Sequence, residues 1–219
     1  MKTPELIIFD FDGTLADTTD SILSTYRLTI EELDMERRSD NECRATIGIP
    51  LKGAFRKLYP AYTDSMLDTC VTTYRRIYSD NKSLLTPSLY PGVRETLVEL
   101  AARGCMMSIA SSRSYRSLAD FCDYHHLSKF FSLILGADSV LKAKPDPEPV
   151  LHTMEVLKKS ADRTLMVGDM PVDIAMGRGA KCTTVGVTYG NSSHGELSNA
   201  GANYIIDNFT DLLNIVIHA

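Results

Sequence analysis

A chain of 219 residues is long enough for one large core, or for a core with a smaller second domain. Hydrophobic residues at 44% and charged residues at 23% fit an ordinary soluble globular protein. A net charge of −5 leaves no basic footprint, so no nucleic-acid partner is expected. No apolar run approaches the ~20 residues needed to cross a bilayer, so no membrane partner is expected either.

The elements follow in chain order. The opening apolar run, Leu6–Phe9, is cut short by Asp10, too short for a signal peptide. It reads as a first strand. From 16 to 86 no strand pattern is evident. Helix-compatible stretches instead cover 18–33, 40–47, Leu51–Leu58 and 65–81, punctuated by Gly48, Pro50, Pro60 and Asn81. Strand-like runs then return at Met106–Ala110, 131–135, 165–167, 184–187 and Tyr204–Ile206. Amphipathic stretches lie between them, with Val93, Leu97, Leu100 and Ala101 on one helical face and Val150, Met154 and Leu157 on another. The runs are continuous rather than alternating, as in strands buried on both faces. The pattern predicts an α/β fold, a doubly wound parallel sheet with right-handed crossovers. A smaller all-helical domain over 16–86 would interrupt a core made of 1–15 and 87–219, rejoining it through Thr86-Pro87 and Pro91-Gly92.

Open α/β sheets bind ligands beyond the carboxyl ends of their strands. After the first run comes Asp10-Phe11-Asp12-Gly13-Thr14, and after Met106–Ala110 comes Ser111-Ser112-Arg113. Lys144-Pro145-Asp146-Pro147 follows the third run, and Gly168-Asp169, then Asp173, follows the fourth. Carboxylates bind a phosphate dianion only when a cation offsets the repulsion, and hard oxygen donors select magnesium. Asp10 and Asp169 fit as its carboxylates. Lys144 would neutralise both Asp10 and the phosphoryl oxygens. The Ser111 hydroxyl and backbone N–H groups near Gly13 and Ser112 would hold the remaining oxygens. Thr14 and Arg113, in the same two loops, are placed with Gly13 and Ser112 on the substrate side.

The string DFDGTL at 10–15 resembles the first motif of the haloacid dehalogenase superfamily. Ser111 after a strand, Lys144 in KPDP and VGDMPVD at 167–173 follow in the family's order. GVTYG at 186–190, with the chain beyond it, is similar to phosphoglycolate phosphatase-like members. The resemblance implies a Rossmann-like core, a mobile helical cap at 16–86 and magnesium as cofactor. It makes Asp10 the nucleophile and Asp12 the acid/base. It puts the metal on the Asp10 carboxylate, the Asp12 carbonyl and Asp169, with Asp173 as a supporting acid. The implied activity is hydrolysis of a small phosphorylated metabolite, a phosphoglycolate-like phosphomonoester or pyrophosphate, through an aspartyl phosphate.

Two other activities compete. A phosphosugar mutase of the same superfamily would carry a histidine about ten residues after the acid/base, where this chain reads DTTDSI at 17–22. A signalling receiver also stores phosphate on an aspartate, but needs neither the insert nor an acid two residues from the nucleophile. The His125-His126 pair has no motif partner and is expected at the surface. Tyr74 and Tyr78 are expected to pack, and Lys52, Arg56, Arg75 and Arg76 to be solvated. Cys43, Cys70, Cys105, Cys122 and Cys182 are scattered and odd in number, so they are expected to be reduced, in a cytoplasmic protein.

Overall fold

The structure is a computed structural model that describes residues 3–81 and 87–217. Six parallel strands form its centre: β1 (Leu6–Phe9), β4 (Met106–Ala110), β5 (Leu133–Leu135), β6 (Thr164–Gly168), β7 (Thr183–Val187) and β8 (Tyr204–Ile206). They lie in the order β5-β4-β1-β6-β7-β8. The chain builds outward from β1 through β4 and β5, then returns to the other side of β1 for β6. That reversal opens a crevice between the carboxyl ends of β1 and β6, where open α/β sheets take their ligands.

Side chains alternate across β1. Ile7 and Phe9 enter one apolar layer with Leu97, Leu100, Leu118 and Phe209. Leu6 and Ile8 enter the opposite layer with Val150, Met154 and Met176. All four β1 residues are fully buried, which accounts for a continuous apolar run where a one-sided strand would alternate.

The insert begins and ends in two adjacent strands. β2 (Ala16–Asp17) pairs antiparallel with β3 (Ser88–Leu89), Ala16 opposite Leu89 and Asp17 opposite Ser88. Neither strand is among the runs the sequence predicts, because two residues are too few for periodicity to register. Ala16 is also buried in the same apolar layer as Phe9 and Leu97, so it packs with the sheet. Thr86, half of the expected rejoining point, lies outside the described residues.

Between these strands run α1 (Thr19–Glu32), α2 (Asp40–Arg44), α3 (Leu51–Leu58) and α4 (Asp64–Asp80). Helical spacing puts Ile22, Tyr26 and Ile30 of α1, and Leu67, Cys70 and Tyr74 of α4, on facing stripes. They close on Phe55 of α3 as an apolar cluster of their own. Tyr26, Phe55 and Tyr74 meet edge to face, with ring centroids 5.2–6.1 Å apart. Of the cations expected to be solvated here, Lys52 pairs with Asp68 at 2.6 Å, Arg56 pairs with Asp64, and Arg76 joins Glu32 of α1 to Asp80.

The remaining helices flank the sheet: α5 (Val93–Ala102), α6 (Tyr115–Tyr124), α7 (Glu148–Leu157), α8 (Pro171–Gly179), α9 (His194–Asn199) and α10 (Leu212–Ile217). His126 is exposed as expected, but His125 is half-buried, its ring against Phe121 and its Nε2 3.0 Å from the Pro87 carbonyl oxygen. All five cysteines are free. No helix among the described residues is long and apolar enough to cross a membrane.

Candidate active site

Asp10 and Asp169 are the first residues beyond two neighbouring strands. β1 and β6 run in register, Phe9 beside Val167, and the Asp10 N–H continues the ladder onto the Val167 carbonyl at 2.8 Å. Both carboxylates therefore leave the sheet at one level. Asp173 joins them from the first turn of α8, where it accepts the Met170 N–H at 3.0 Å. One carboxylate oxygen from each of Asp10, Asp169 and Asp173 lies within 4.8 Å of the others, and all three residues are buried.

Lys144 reaches into this cluster from the loop between β5 and α7. Its Nζ is 2.6 Å from Asp10 Oδ1 and 2.7 Å from Asp173 Oδ1, with 3% of the side chain exposed. Burial alone would discharge this ammonium, but Asp10 and Asp173 outweigh it and hold Lys144 above its ordinary value. Three carboxylates face one lysine, so the cluster carries excess negative charge. Burial and the Asp173 charge push Asp10 well above the usual carboxylate range, against the pull of Lys144. The same two causes push Asp169 up to about 7, against hydrogen bonds from Asn191.

The loops around the cluster are tightly fitted. Gly13 has φ +81°, and a Cβ there would sit 2.1 Å from Asp169 Oδ2. Only glycine combines that backbone with that approach. The Thr14 hydroxyl donates to Asp169 Oδ1 at 3.3 Å. Asn191 donates twice to Asp169 Oδ2, from its backbone N–H at 2.7 Å and from Nδ2 at 2.8 Å. Asn191 was not singled out in the sequence. The only signal was its place one residue beyond the GVTYG run, whose Gly190 backs directly onto Asp169.

The other expected site residues fall on the side facing the insert. Ser111 is buried at the end of β4 and accepts the Arg113 N–H at 3.3 Å. The Ser112 hydroxyl donates to the Gly48 carbonyl of the insert at 2.7 Å. The Asp12 carboxylate is held by Arg113, with Nη2 2.6 Å from Oδ1 and Nε 3.2 and 3.3 Å from the two oxygens. Of the groups expected to meet the substrate, Thr14, Ser112 and Arg113 thus have their side chains engaged within the protein. Between core and insert lies a cleft of about 680 Å³, lined by Asp12, Ser112 and Arg113 from the core and by Gly48, Tyr74 and Tyr78 from the insert. Arg75 also lines it.

A parallel α/β sheet thus gathers three acids and a lysine at its switch point, a donor set that suits a charged, oxygen-rich group. The profile of haloacid dehalogenase-like hydrolases matches residues 7–187, and the chain belongs to that family. It is 34% identical over 210 residues to a protein named probable phosphatase IndB of Dickeya dadantii, covering 95% of this chain and 91% of that one. It is 33% identical to pyrophosphatase PpaX of Oceanobacillus iheyensis, covering 96% and 95%. The solved structure of a haloacid dehalogenase-like chain from Bacteroides fragilis superposes with a TM-score of 0.90 at 26% identity, covering 95% of this chain and 99% of that one. A hydrolase from Pseudomonas syringae shares the fold with a TM-score of 0.86 at 24% identity, covering 98% of each chain. Within its family the chain stands with the phosphatases.

Proposed function

We propose that the chain is a magnesium-dependent phosphatase that hydrolyses a small phosphorylated metabolite through a phospho-aspartate on Asp10. The observation that carries this reading is the Asp10 carboxylate, buried at a strand end 2.6 Å from Lys144 and grouped with Asp169 and Asp173. Such a cluster is chemically unfinished: three acids against one lysine call for a further cation. Donors that are all oxygen suit magnesium. Asp10, Asp169 and the Asp12 carbonyl would hold the ion, with Asp173 supporting Lys144. When bound, magnesium supplies positive charge that lets a phosphate dianion approach carboxylates.

Asp10 attacks phosphorus in line and forms the acyl phosphate. Lys144 favours the ionised form of Asp10, a bound cation would complete that ionisation, and Lys144 also offsets charge on the phosphoryl oxygens. Ser111 and the backbone N–H groups near Gly13 and Ser112 hold those oxygens. Asp12 faces the cleft where a leaving group would lie. It would enter the step protonated, give that proton to the departing oxygen, and recover one from the water that hydrolyses the acyl phosphate. The insert over 16–86 is the cap on a core of 1–15 and 87–219, excluding water during transfer. The five free cysteines suit a reducing compartment, and we read the enzyme as cytoplasmic.

A cleft of about 680 Å³ has room for an organic leaving group much larger than phosphate, which favours a phosphomonoester over pyrophosphate, the substrate class in the name of PpaX. The test is a panel of phosphorylated metabolites that includes pyrophosphate and phosphoglycolate, assayed with magnesium and ranked by kcat/KM. The expected result is an organic phosphomonoester at the head of the ranking. Absence of phosphate release from every member would overturn the reading.

A further inference from the structure

We propose that Arg113 is a positioning residue that acts through Asp12: it sets the Asp12 carboxylate at the cleft wall and ties that setting to the seating of the insert. The inference rests on the acid/base role proposed for Asp12. An arginine just after the Ser111-Ser112 pair would ordinarily be placed on the substrate phosphate, but each of its three nitrogens here already has a partner within the protein. Nη2 and Nε fork onto the Asp12 carboxylate at 2.6–3.3 Å, and Nη1 donates to Ser117 Oγ at 3.0 Å. The two side chains of the ion pair are only 12% and 13% exposed. Lys144 already supplies positive charge at Asp10, so the phosphoryl centre has a cation without Arg113.

The guanidinium is also fixed by rings. Its central carbon lies 5.4 Å from the Phe11 centroid and 5.3 Å from the Tyr78 centroid. Phe11 belongs to the catalytic loop beside Asp12. Tyr78 belongs to α4 of the insert, and it is the only one of these partners that would leave if the insert swung away. Arg113 is thus the piece through which the position of the insert reaches the acid. A planar fork holds a carboxylate in one orientation, which a lysine's point charge does not. With the insert seated, Asp12 faces the leaving-group side; with Tyr78 withdrawn, Arg113 loses one of its two ring contacts and its hold on Asp12 loosens.

The test uses the full-length enzyme with magnesium and two substrates, an alkyl phosphate with a poor leaving group and p-nitrophenyl phosphate with a good one. Misplacing a general acid costs most where the leaving group needs its proton, and misplacement by about 1 Å is worth roughly 10²-fold. Arg113→Gln and Tyr78→Leu should each lower kcat on the alkyl phosphate by about 10–10²-fold, with a loss at least about fivefold smaller on the aryl phosphate and KM little changed. In an Asp12→Asn background, Arg113→Gln should add less than about threefold, because the two act as a unit. Tyr78→Leu touches neither partner of the ion pair covalently and carries the test if Arg113→Gln melts early. A rise in KM on both substrates that persists in the Asp12→Asn background would make Arg113 a phosphate ligand and overturn the proposal. Equal losses on both substrates, or a Tyr78→Leu variant with wild-type kcat, would overturn it as well. If Asp12→Asn alone loses equally on both substrates, the acid role of Asp12 fails first, a result distinguishable from failure of Arg113.

Discussion

Asp169 is a residue whose charged state works against the stability of the fold. Its carboxylate is buried among like charges, and burial, then Asp173, push it up to about 7. An acid whose folded pKa exceeds its unfolded value, about 3.9, binds its proton more tightly when folded. Its ionisation therefore costs stability that is lost progressively as pH rises from about 4 to about 7. Asp169→Asn removes that charge while its amide oxygen still accepts the Asn191 N–H. In chelator at pH 8 the variant should melt several degrees higher than the parent, and at pH 4 the difference should shrink. Phosphatase activity should fall in the same variant. A variant that melts lower at pH 8 would mean that the hydrogen bonds at Asp169 outweigh the repulsion. At this scale the sequence was most legible where chemistry is local. DFDGTL placed Asp10 and Gly13, and KPDP placed Lys144, because each sits at a strand end or tight turn with its own signature. Asn191 and the Arg113–Asp12 pair were illegible. Their partners lie 22 and 101 positions away, and only the folded sheet brings them together.

At the scale of elements, the sheet follows from its apolar runs and the insert from its helical stripes. β1, β4 and β8 begin and end where the hydrophobic runs do. β5 is shorter than the run at 131–135 because a helical turn at Ser128–Phe130 leads into it. The β2–β3 pair left no periodic signal, being set by the return of the chain rather than by composition. The insert has its own apolar cluster around Phe55, so it should be possible to loosen it with the sheet intact. Phe55→Ala should cost about 3–5 kcal/mol through the cavity it leaves. Because Phe55 packs on Tyr26 and Tyr74, which line the cleft, discrimination among metabolites should fall while slow cleavage of p-nitrophenyl phosphate persists. Hydrogen exchange should show the loss of protection confined to α1–α4. Equal loss of protection across β1, β4 and β6 would mean that core and insert unfold as one unit.

At the scale of the whole molecule, a sheet that gathers acids at its switch point faces a helical insert across a cleft that Asp12 lines. On the proposed reading, a bound cation offsets the excess of three carboxylates over one lysine. Chelation should abolish turnover, and added magnesium should restore it. Calcium should restore it poorly, because it prefers longer bonds and looser coordination. Full activity in chelator would contradict the metal site. The central claim is the covalent one, that phosphate passes through Asp10. It is tested most directly by acid-quenching the enzyme within milliseconds of mixing with a ³²P-labelled phosphomonoester and mapping the label by peptide. The account predicts a base-labile label on the peptide that carries Asp10, formed and lost at rates that sustain turnover and absent in Asp10→Asn. Turnover at the full rate with no label on that peptide, or with label on another, would contradict it.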